Sequence, residues 1–129
     1  MGTQYLLDSN IVIDFLDNRL PEKGMVVVSK IVNAVPNISV ISKIEILRYN
    51  ISGFVMQILE DFLDCSNICA LDTKTVNETI KLCRQSKIKL PDAIIAATCL
   101  VNKYVLLTRN VKDFVHITDL KIVNPWDLQ

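Results

Sequence analysis

Residues 5–10 read YLLDSN, in which a short apolar run is followed by a carboxylate at Asp8 and a carboxamide at Asn10. The run has the length and composition of a buried strand. Similar strand-like runs recur at 38–41, 67–71, 104–107 and 121–123. Segments with a helical period separate them, and this alternation predicts an α/β fold with a five-stranded, mainly parallel sheet flanked by helices.

The helical segments are predicted from apolar spacing. They cover residues 10–17, 54–64, 73–87 and 91–102, and a further helix that begins near Lys23 should end before Pro36. In the segment 73–87, the spacing of Val76, Ile80 and Cys83 predicts the buried face. The Ala/Ile-rich segment 91–102 should be buried on more than one side.

Length and composition indicate a single domain over residues 1–129. Half of the 129 residues are hydrophobic and only three are glycine, which argues against disorder. No apolar stretch approaches the roughly 18–20 residues of a membrane span, and no signal peptide is recognised at the N-terminus. We therefore expect a cytoplasmic protein without a membrane partner, in which an oligomer or a second protein covers part of the apolar surface.

Charge and cysteine usage exclude several classes of protein. The 14 basic residues balance the 14 acidic ones, so the chain is not a globally basic nucleic-acid binder. Basic residues cluster locally, either as a solvated helix face or as a guide for a polyanion; they are Lys81, Arg84, Lys87, Lys89, Lys103, Arg109 and Lys112. The four cysteines form no CxxC pair and the only histidine is His116, so zinc-site spacing is absent and buried, free thiols are expected.

Polar oxygen ligands recur where the predicted strands end. Ligands bind beyond the carboxyl ends of strands in an open parallel sheet, so these side chains are candidates for one site. They are Asp8 and Asn10 after the first strand, Glu45 after the second, Asp92 at the start of the helix that precedes the fourth, and Thr108, Arg109, Asn110 and Asp113 after the fourth.

Each of these residues also has a purely structural explanation. Ser9 or Asp8 could cap the first helix, and Ser42 with Glu45 has the spacing of a capping box. Pro91 followed by Asp92 fits the first turn of a helix. Thr108 could cap a short helix. Caps are needed at every helix start, but they need not converge on one crevice, and their joint occurrence favours a site.

Converging carboxylates would repel one another and raise each other's pKa values. A divalent cation relieves that repulsion, and oxygen ligands without histidine or thiolate favour Mg²⁺ or Mn²⁺. A metal held by acids is suited to activating water for attack on a phosphodiester. A nuclease is the natural candidate for such a cluster.

At these residues the sequence resembles the PIN-domain nucleases. The segments LLDSNIVIDFL, SKIEIL, LPDAIIAATCL and LLTRNVKDF are similar to the four motifs of that family, in order, between Tyr5 and about Trp126. Spacing and length are most similar to the VapC-type toxins of toxin–antitoxin pairs. The resemblance implies a PIN-like domain, Mg²⁺-dependent cleavage of RNA, inhibition by a cognate antitoxin and a homodimer.

The resemblance also assigns roles to residues. Asp8, Glu45 and Asp92 match the first three acids of the family, which are metal ligands, and Asn10 and Thr108 match its polar supporting positions. The fourth acid is replaced by Asn110, and Asp113 is its candidate substitute. Arg109 and Lys112 are expected to attract the RNA backbone. Two further acids on the first helix, Asp14 and Asp17, are expected to be solvated or to pair locally.

Two other classes of function stay open. A phosphotransfer domain would also place an aspartate after the first strand, but Asn10 replaces its second acid and Lys103 precedes its strand rather than following it. A catalytically silent module would keep the fold and only bind RNA or a protein, and Asn110 makes this reading credible. A metal-dependent ribonuclease assay separates the silent module from an enzyme.

Overall fold

The computed structural model describes residues 2–49 and 51–128, which contain a single five-stranded sheet. Its strands are β1 (Tyr5–Leu7), β2 (Asn37–Ser39), β3 (Asn67–Cys69), β4 (Val105–Leu107) and β5 (Ile122–Val123). They are arranged in the order β3-β2-β1-β4-β5, and every neighbouring pair is parallel. The predicted α/β fold with a parallel sheet is confirmed.

Helices connect the strands and cover both faces of the sheet. The α-helices of the described residues are α1 (Ser9–Leu16), α2 (Glu22–Asn33), α3 (Val40–Leu47), α4 (Gly53–Asp64), α5 (Thr73–Gln85) and α6 (Leu90–Asn102). Short 3₁₀ helices cover Val111–Asp113 and Pro125–Asp127. None of the helices in the described ranges is long and apolar enough to cross a membrane.

Two cores lie on opposite faces of the sheet because neighbouring side chains of a strand alternate. Leu7 and Leu107 pack against α1, α2, α3 and α4, whereas Leu6 and Leu106 pack against α5 and α6. The segment Ala93–Cys99 of α6 is buried throughout, as its Ala/Ile-rich composition predicts. The chain is therefore a three-layer α/β/α domain.

The strand order reverses direction at β1. The chain first builds outward through β2 and β3, and it then returns to pair β4 on the other side of β1. Leu6 pairs with Leu106 and Leu7 with Leu107, so β1 and β4 end side by side. In an open parallel sheet this reversal opens a crevice at the carboxyl ends of the strands.

The start of α3 corrects two predictions. The strand predicted at 38–41 ends at Ser39, and Ser39 caps α3 by accepting a hydrogen bond from the amide of Ile41 at 3.2 Å. The predicted capping box of Ser42 with Glu45 is therefore wrong, because Ser42 already lies inside the helix. Its hydroxyl is fully buried and has no hydrogen-bond partner among the described residues.

The buried face of α5 also differs from the prediction. Val76, Ile80 and Cys83 are exposed, and Thr75, Thr79 and Leu82 are buried instead. The hydroxyl of Thr79 donates to the carbonyl of Thr75 at 2.7 Å, so this threonine is buried with its polar group satisfied. Leu82 belongs to the same buried core as Ala96 and Ala97 of α6. Hydrophobicity alone therefore selects the wrong stripe of the helix.

The cysteines follow the expectation only in part. All four are free, but only Cys99 is fully buried, whereas Cys65 and Cys83 are exposed. Cys83 is exposed because it lies on the same exposed face of α5 as Val76 and Ile80.

Gly24 allows the C-terminal 3₁₀ helix to lie directly on α2. A Cβ atom at this position would collide with the carbonyl oxygen of Pro125. The backbone of Pro125–Asp127 therefore packs against the backbone of α2, and this close approach fixes where Trp126 lies.

We expect Gly24→Ala to destabilise the fold by about 1–3 kcal/mol, because the added methyl group forces the two backbones apart. Gly53→Ala is the matched control: a Cβ atom added there would have no neighbour within 4 Å, and Gly53 begins α4, where alanine is the better helix former. Urea unfolding of the two variants checks this. Equal stability of Gly24→Ala and Gly53→Ala would contradict the close approach.

Candidate active site

Asp8 lies at the crevice between β1 and β4 and is almost fully buried. Its backbone amide donates to the carbonyl of Leu107 at 2.9 Å, which continues the sheet by one bond. Its Oδ1 accepts from the amide of Ser9 at 2.8 Å, so Asp8 is the N-cap of α1. The structural explanation and the functional one therefore apply to the same side chain.

Thr108 and Asn10 hold the second oxygen of Asp8. The hydroxyl of Thr108 donates to Oδ2 at 2.8 Å, and the amide of Asn10 donates to the same atom at 3.2 Å. Asn10 also accepts from the backbone amide of Arg109 at 3.1 Å and so joins the end of β1 to the end of β4. Both supporting residues are placed around Asp8, with Thr108 fully buried.

Glu45 and Asp92 approach Asp8 from two helices. Glu45 lies on α3, one turn after Ser42, and Asp92 lies in the first turn of α6 directly after Pro91. Both side chains are partly buried. The N-terminal turn of α6 favours a negative charge at Asp92, as a helix start does generally.

The acids influence one another electrostatically. Burial and then the charges of Asp8, Asp113 and Glu45 raise the pKa of Asp92 to about 6. Burial and the charge of Asp8 raise the pKa of Glu45. Burial also raises the pKa of Asp8, against the hydrogen bonds from Thr108, Ser9 and Asn10. These carboxylates therefore form one coupled acidic cluster.

As oriented in the described part of the chain, no three acidic, histidine or cysteine side chains are grouped closely enough to hold a metal ion. The donor set nevertheless has the chemistry of a hard-cation site, because it consists of carboxylate and amide oxygens. A cation would offset the repulsion that raises the pKa of Asp92. Binding would require the side chains to close around it.

The two candidates for the fourth acid occupy different positions. Asn110 is exposed, and its backbone amide donates to the hydroxyl of Thr108 at 3.1 Å. Asp113 is exposed on the 3₁₀ helix Val111–Asp113, and its charge acts on both Asp8 and Asp92. Lys112 lies exposed between them in sequence, and the charge of Lys89 acts on Asp92.

Asp14 departs from its predicted role as a solvated or locally paired acid. It is 2% exposed and accepts hydrogen bonds from the indole Nε1 of Trp126 at 3.0 Å and from the guanidinium of Arg109 at 3.1 Å. Asp17 does pair locally, with Arg19. Asp14 follows Asn10 by one helical turn and therefore shares its face of α1, and this spacing was the available signal.

Arg109 consequently differs from a free surface cation. Its backbone is fixed by Asn10 and its side chain by Asp14, yet 47% of that side chain stays exposed. Its role in attracting RNA remains a prediction, and the carboxylate partner was not foreseen.

We expect Asp92→Asn to stabilise the metal-free fold above pH 6 and not below pH 4. A raised pKa means that the folded state favours the protonated acid, so this contribution to stability is present below the ordinary carboxyl pKa and lost as pH rises through about 6. Partial exposure screens the effect, and we expect about 1 kcal/mol, or roughly 3–5 °C in Tm.

Thermal unfolding in EDTA between pH 4 and pH 8 checks this expectation. Glu60→Gln, an exposed carboxyl-to-amide change on α4, is the control and should show a difference in Tm that does not change across this range. A constant difference in Tm between wild type and Asp92→Asn would contradict the coupled cluster.

Solved structures share this architecture over almost the whole chain. No family model matches the sequence, and no curated protein matches it. A chain of a toxin–antitoxin complex from Klebsiella pneumoniae is 29% identical with a TM-score of 0.72, and the match covers 97% of this chain and 100% of that one. A chain of VapBC-1 from nontypeable Haemophilus influenzae is 26% identical with a TM-score of 0.78. The match covers 95% of this chain and 98% of that one.

A third similar structure agrees in fold alone. A chain of the DNA-bound VapBC from Salmonella typhimurium is 20% identical with a TM-score of 0.77, and the match covers 96% of this chain and 99% of that one. The sheet order and these full-length similarities lead to the same conclusion. The protein has the fold of the VapC-type PIN domains, and the resemblance carried by its sequence motifs is confirmed.

Proposed function

We propose that this chain is a metal-dependent endoribonuclease of the VapC type that an antitoxin protein neutralises. One observation carries the proposal: acids from three separate elements form a coupled cluster at the crevice where the strand order reverses. A structural role does not require such a cluster, which costs stability. The similarity to chains of toxin–antitoxin complexes supports the biological setting.

Mg²⁺ or Mn²⁺ is the proposed cofactor, with Asp8, Asp92 and Glu45 as its ligands. When bound, such a metal lowers the pKa of a coordinated water and offsets charge on a phosphodiester under attack. The Oδ2 atom of Asp8 already accepts two hydrogen bonds, whereas Oδ1 accepts one. Oδ1 therefore has the greater remaining capacity to accept a ligand.

The residues around the ligands have separate tasks in this proposal. Thr108 and Asn10 keep the Asp8 carboxylate oriented, and Asp92 must lose a proton that it holds up to about pH 6. Asp113, rather than Asn110, supplies the additional negative charge near Asp8 and Asp92. Lys112 and Lys89 provide positive charge for the RNA backbone, so binding should weaken with salt.

A catalytically silent module is the second candidate. Asn110 replaces a carboxylate, and no described group of three acids is arranged to hold a metal as it is. Such a module would bind RNA or a protein partner without cleaving either. The cleavage assay below separates the two candidates.

A homodimer, an antitoxin or both are proposed to cover the exposed apolar surface. Part of it lies on and beside α2, α3 and α4; these side chains are Ile44, Ile51, Phe54, Val55, Ile58, Val26 and Val35. Phe54 alone is 80% exposed. Stable interfaces are enriched in aromatic side chains, which favours α4 as the main contact.

We expect Asp8→Asn to reduce Mg²⁺-dependent cleavage of single-stranded RNA by about 10²–10³-fold, because the metal loses a charged ligand. Asparagine keeps one acceptor oxygen that can still cap α1, and its amide nitrogen can donate to the Thr108 hydroxyl, so the variant should fold. Cleavage in Mg²⁺ and in EDTA, together with Tm, measures both effects. Activity that is equal in EDTA, or unchanged in Asp8→Asn, would rule out the metal mechanism.

A second substitution, from amide to carboxylate, tests whether Asn110 occupies the position of the missing fourth acid. Asn110→Asp should tighten Mn²⁺ binding severalfold, as measured by calorimetry, because it adds a carboxylate beside Thr108. Thr118→Asp, at an exposed loop position away from the cluster, is the control. Equal Mn²⁺ affinity in the two variants would place Asn110 outside the metal site.

We expect light scattering at micromolar concentrations to show a dimer that Phe54→Lys dissociates, because a charge at the centre of an apolar interface is costly to bury. Thr118→Lys adds the same charge elsewhere and should leave the dimer intact. A wild-type protein that is monomeric at all these concentrations would refute the homodimer part of the proposal.

A further inference from the structure

A cavity of about 360 Å³ lies directly beside the acidic cluster. Asn10, Glu45 and Asn110 line it and belong to the proposed active site. Its lining also carries cations and an aromatic ring, from Arg19, Arg48, Arg109 and Tyr49. A surface that needs only to be solvated does not require a recess lined by arginines. The volume lies in the range of small-ligand sites.

Arg109 is the best-positioned cation of this cavity. Its Nη1 atom donates to both carboxylate oxygens of Asp14, at 3.1 and 3.3 Å, and Asp14 is itself held by the indole of Trp126 at 3.0 Å. The other nitrogens of the guanidinium have no protein acceptor in the described hydrogen-bond network. A planar guanidinium that is held through Nη1 can donate its remaining N–H groups to a phosphate.

Tyr49 provides an exposed aromatic face at the same cavity. The residue as a whole is 59% exposed. The guanidinium of Arg48 lies 5.0 Å from the ring centroid and donates to the Tyr49 hydroxyl at 3.0 Å. Rings and guanidinium planes arranged in this way are the groups on which unstacked nucleic-acid bases stack.

We propose that this cavity binds one nucleotide of a single RNA strand, adjacent to the phosphodiester that the acidic cluster acts on. Arg109 binds a phosphate of that nucleotide, and Tyr49 stacks on its base. Asp14 acts as a positioning residue that orients Arg109. The proposal rests on the proposed ribonuclease function, since RNA is the substrate in both.

RNA fits the cavity better than an acidic protein segment does. The cavity is continuous with the cluster through Asn10, Glu45 and Asn110, so a strand whose phosphate lies at the cluster extends into it. Three arginines and two acids line the space, and Arg19 and Arg109 already pair with Asp17 and Asp14, so the remaining nitrogens of Arg48 and Arg109 are the donors left for a phosphate. A carboxylate-bearing segment would use the cations but would leave the exposed ring of Tyr49 without a stacking partner.

The experiment measures binding of a fluorescein-labelled single-stranded RNA oligonucleotide by anisotropy in EDTA, so that cleavage does not interfere. We expect Arg109→Ala and Tyr49→Ala each to weaken binding by about 5- to 100-fold. Arg109→Lys should recover only part of the loss, since it keeps the charge but not the fork, whereas Tyr49→Phe should bind like wild type. Arg109→Ala should also reduce the slope of log affinity against log salt concentration by about one, as expected for the loss of one phosphate contact.

Asp14 is tested separately, because a buried carboxylate also has structural contacts. Asp14→Asn should weaken RNA binding in the wild-type background but cause no further loss in Arg109→Ala, which a merely structural role would not produce. The emission of Trp126, the only tryptophan, reports whether its contact has changed. Asp64→Asn, the same change at an exposed position at the end of α4 that does not line the cavity, is the control and should bind like wild type.

The outcomes separate this inference from the proposed function. RNA binding that depends on Arg109 and Tyr49 without Mg²⁺-dependent cleavage would refute the enzyme and retain the nucleotide site. Cleavage by wild type combined with unchanged RNA binding in Arg109→Ala and Tyr49→Ala would retain the enzyme and overturn the site. Absence of RNA binding by wild type in EDTA would overturn the nucleotide site, whereas the cleavage assay in Mg²⁺ decides on the enzyme.

Discussion

The pairing of β1 with β4 at the centre of the sheet is the constraint on which the site depends. It places Asp8 beside Thr108, and the 2.8 Å hydrogen bond between them joins two strand ends that belong to opposite ends of the sequence. Asn10 adds a second link by donating to Asp8 and accepting from Arg109. The same pairing defines the crevice towards which α3 and α6 bring Glu45 and Asp92. The same strand pairing therefore determines both the order of the sheet and the grouping of the site residues.

Negative charge in the crevice opposes folding, whereas the surrounding contacts favour it. Burial and mutual repulsion raise the pKa of Asp92 to about 6, so the cluster without a cation is a source of strain at neutral pH. A buried hydrophobic core on each face of the sheet offsets that cost.

The fold was predictable because short apolar runs and amphipathic segments alternate, and because residues such as Asp8 come directly after a strand. Other features depend on packing that periodicity does not encode. Thr75 and Thr79 are buried on α5 in place of Val76 and Ile80, and the hydroxyl of Thr79 is satisfied by the carbonyl of Thr75. Ser39 replaces Ser42 as the cap because β2 ends earlier than its apolar run. The spacing of Asp14 from Asn10 indicates a shared face of α1, but its burial also depends on two partners, Arg109 and Trp126, that lie about 100 residues away in sequence.

The distance in sequence between Asp8 and Thr108 determines when the site can form during folding. Asp8 and Thr108 are separated by 100 positions, and β1 meets its partner only after β2, β3 and most helices have been made. Contacts of such high sequence separation form late, because the loop they close must first be ordered. A partly folded chain thus carries the acids but not the crevice, and a chain whose fold is loosened loses the site before it loses its helices. The complete site is therefore present only in molecules that have completed the central pairing.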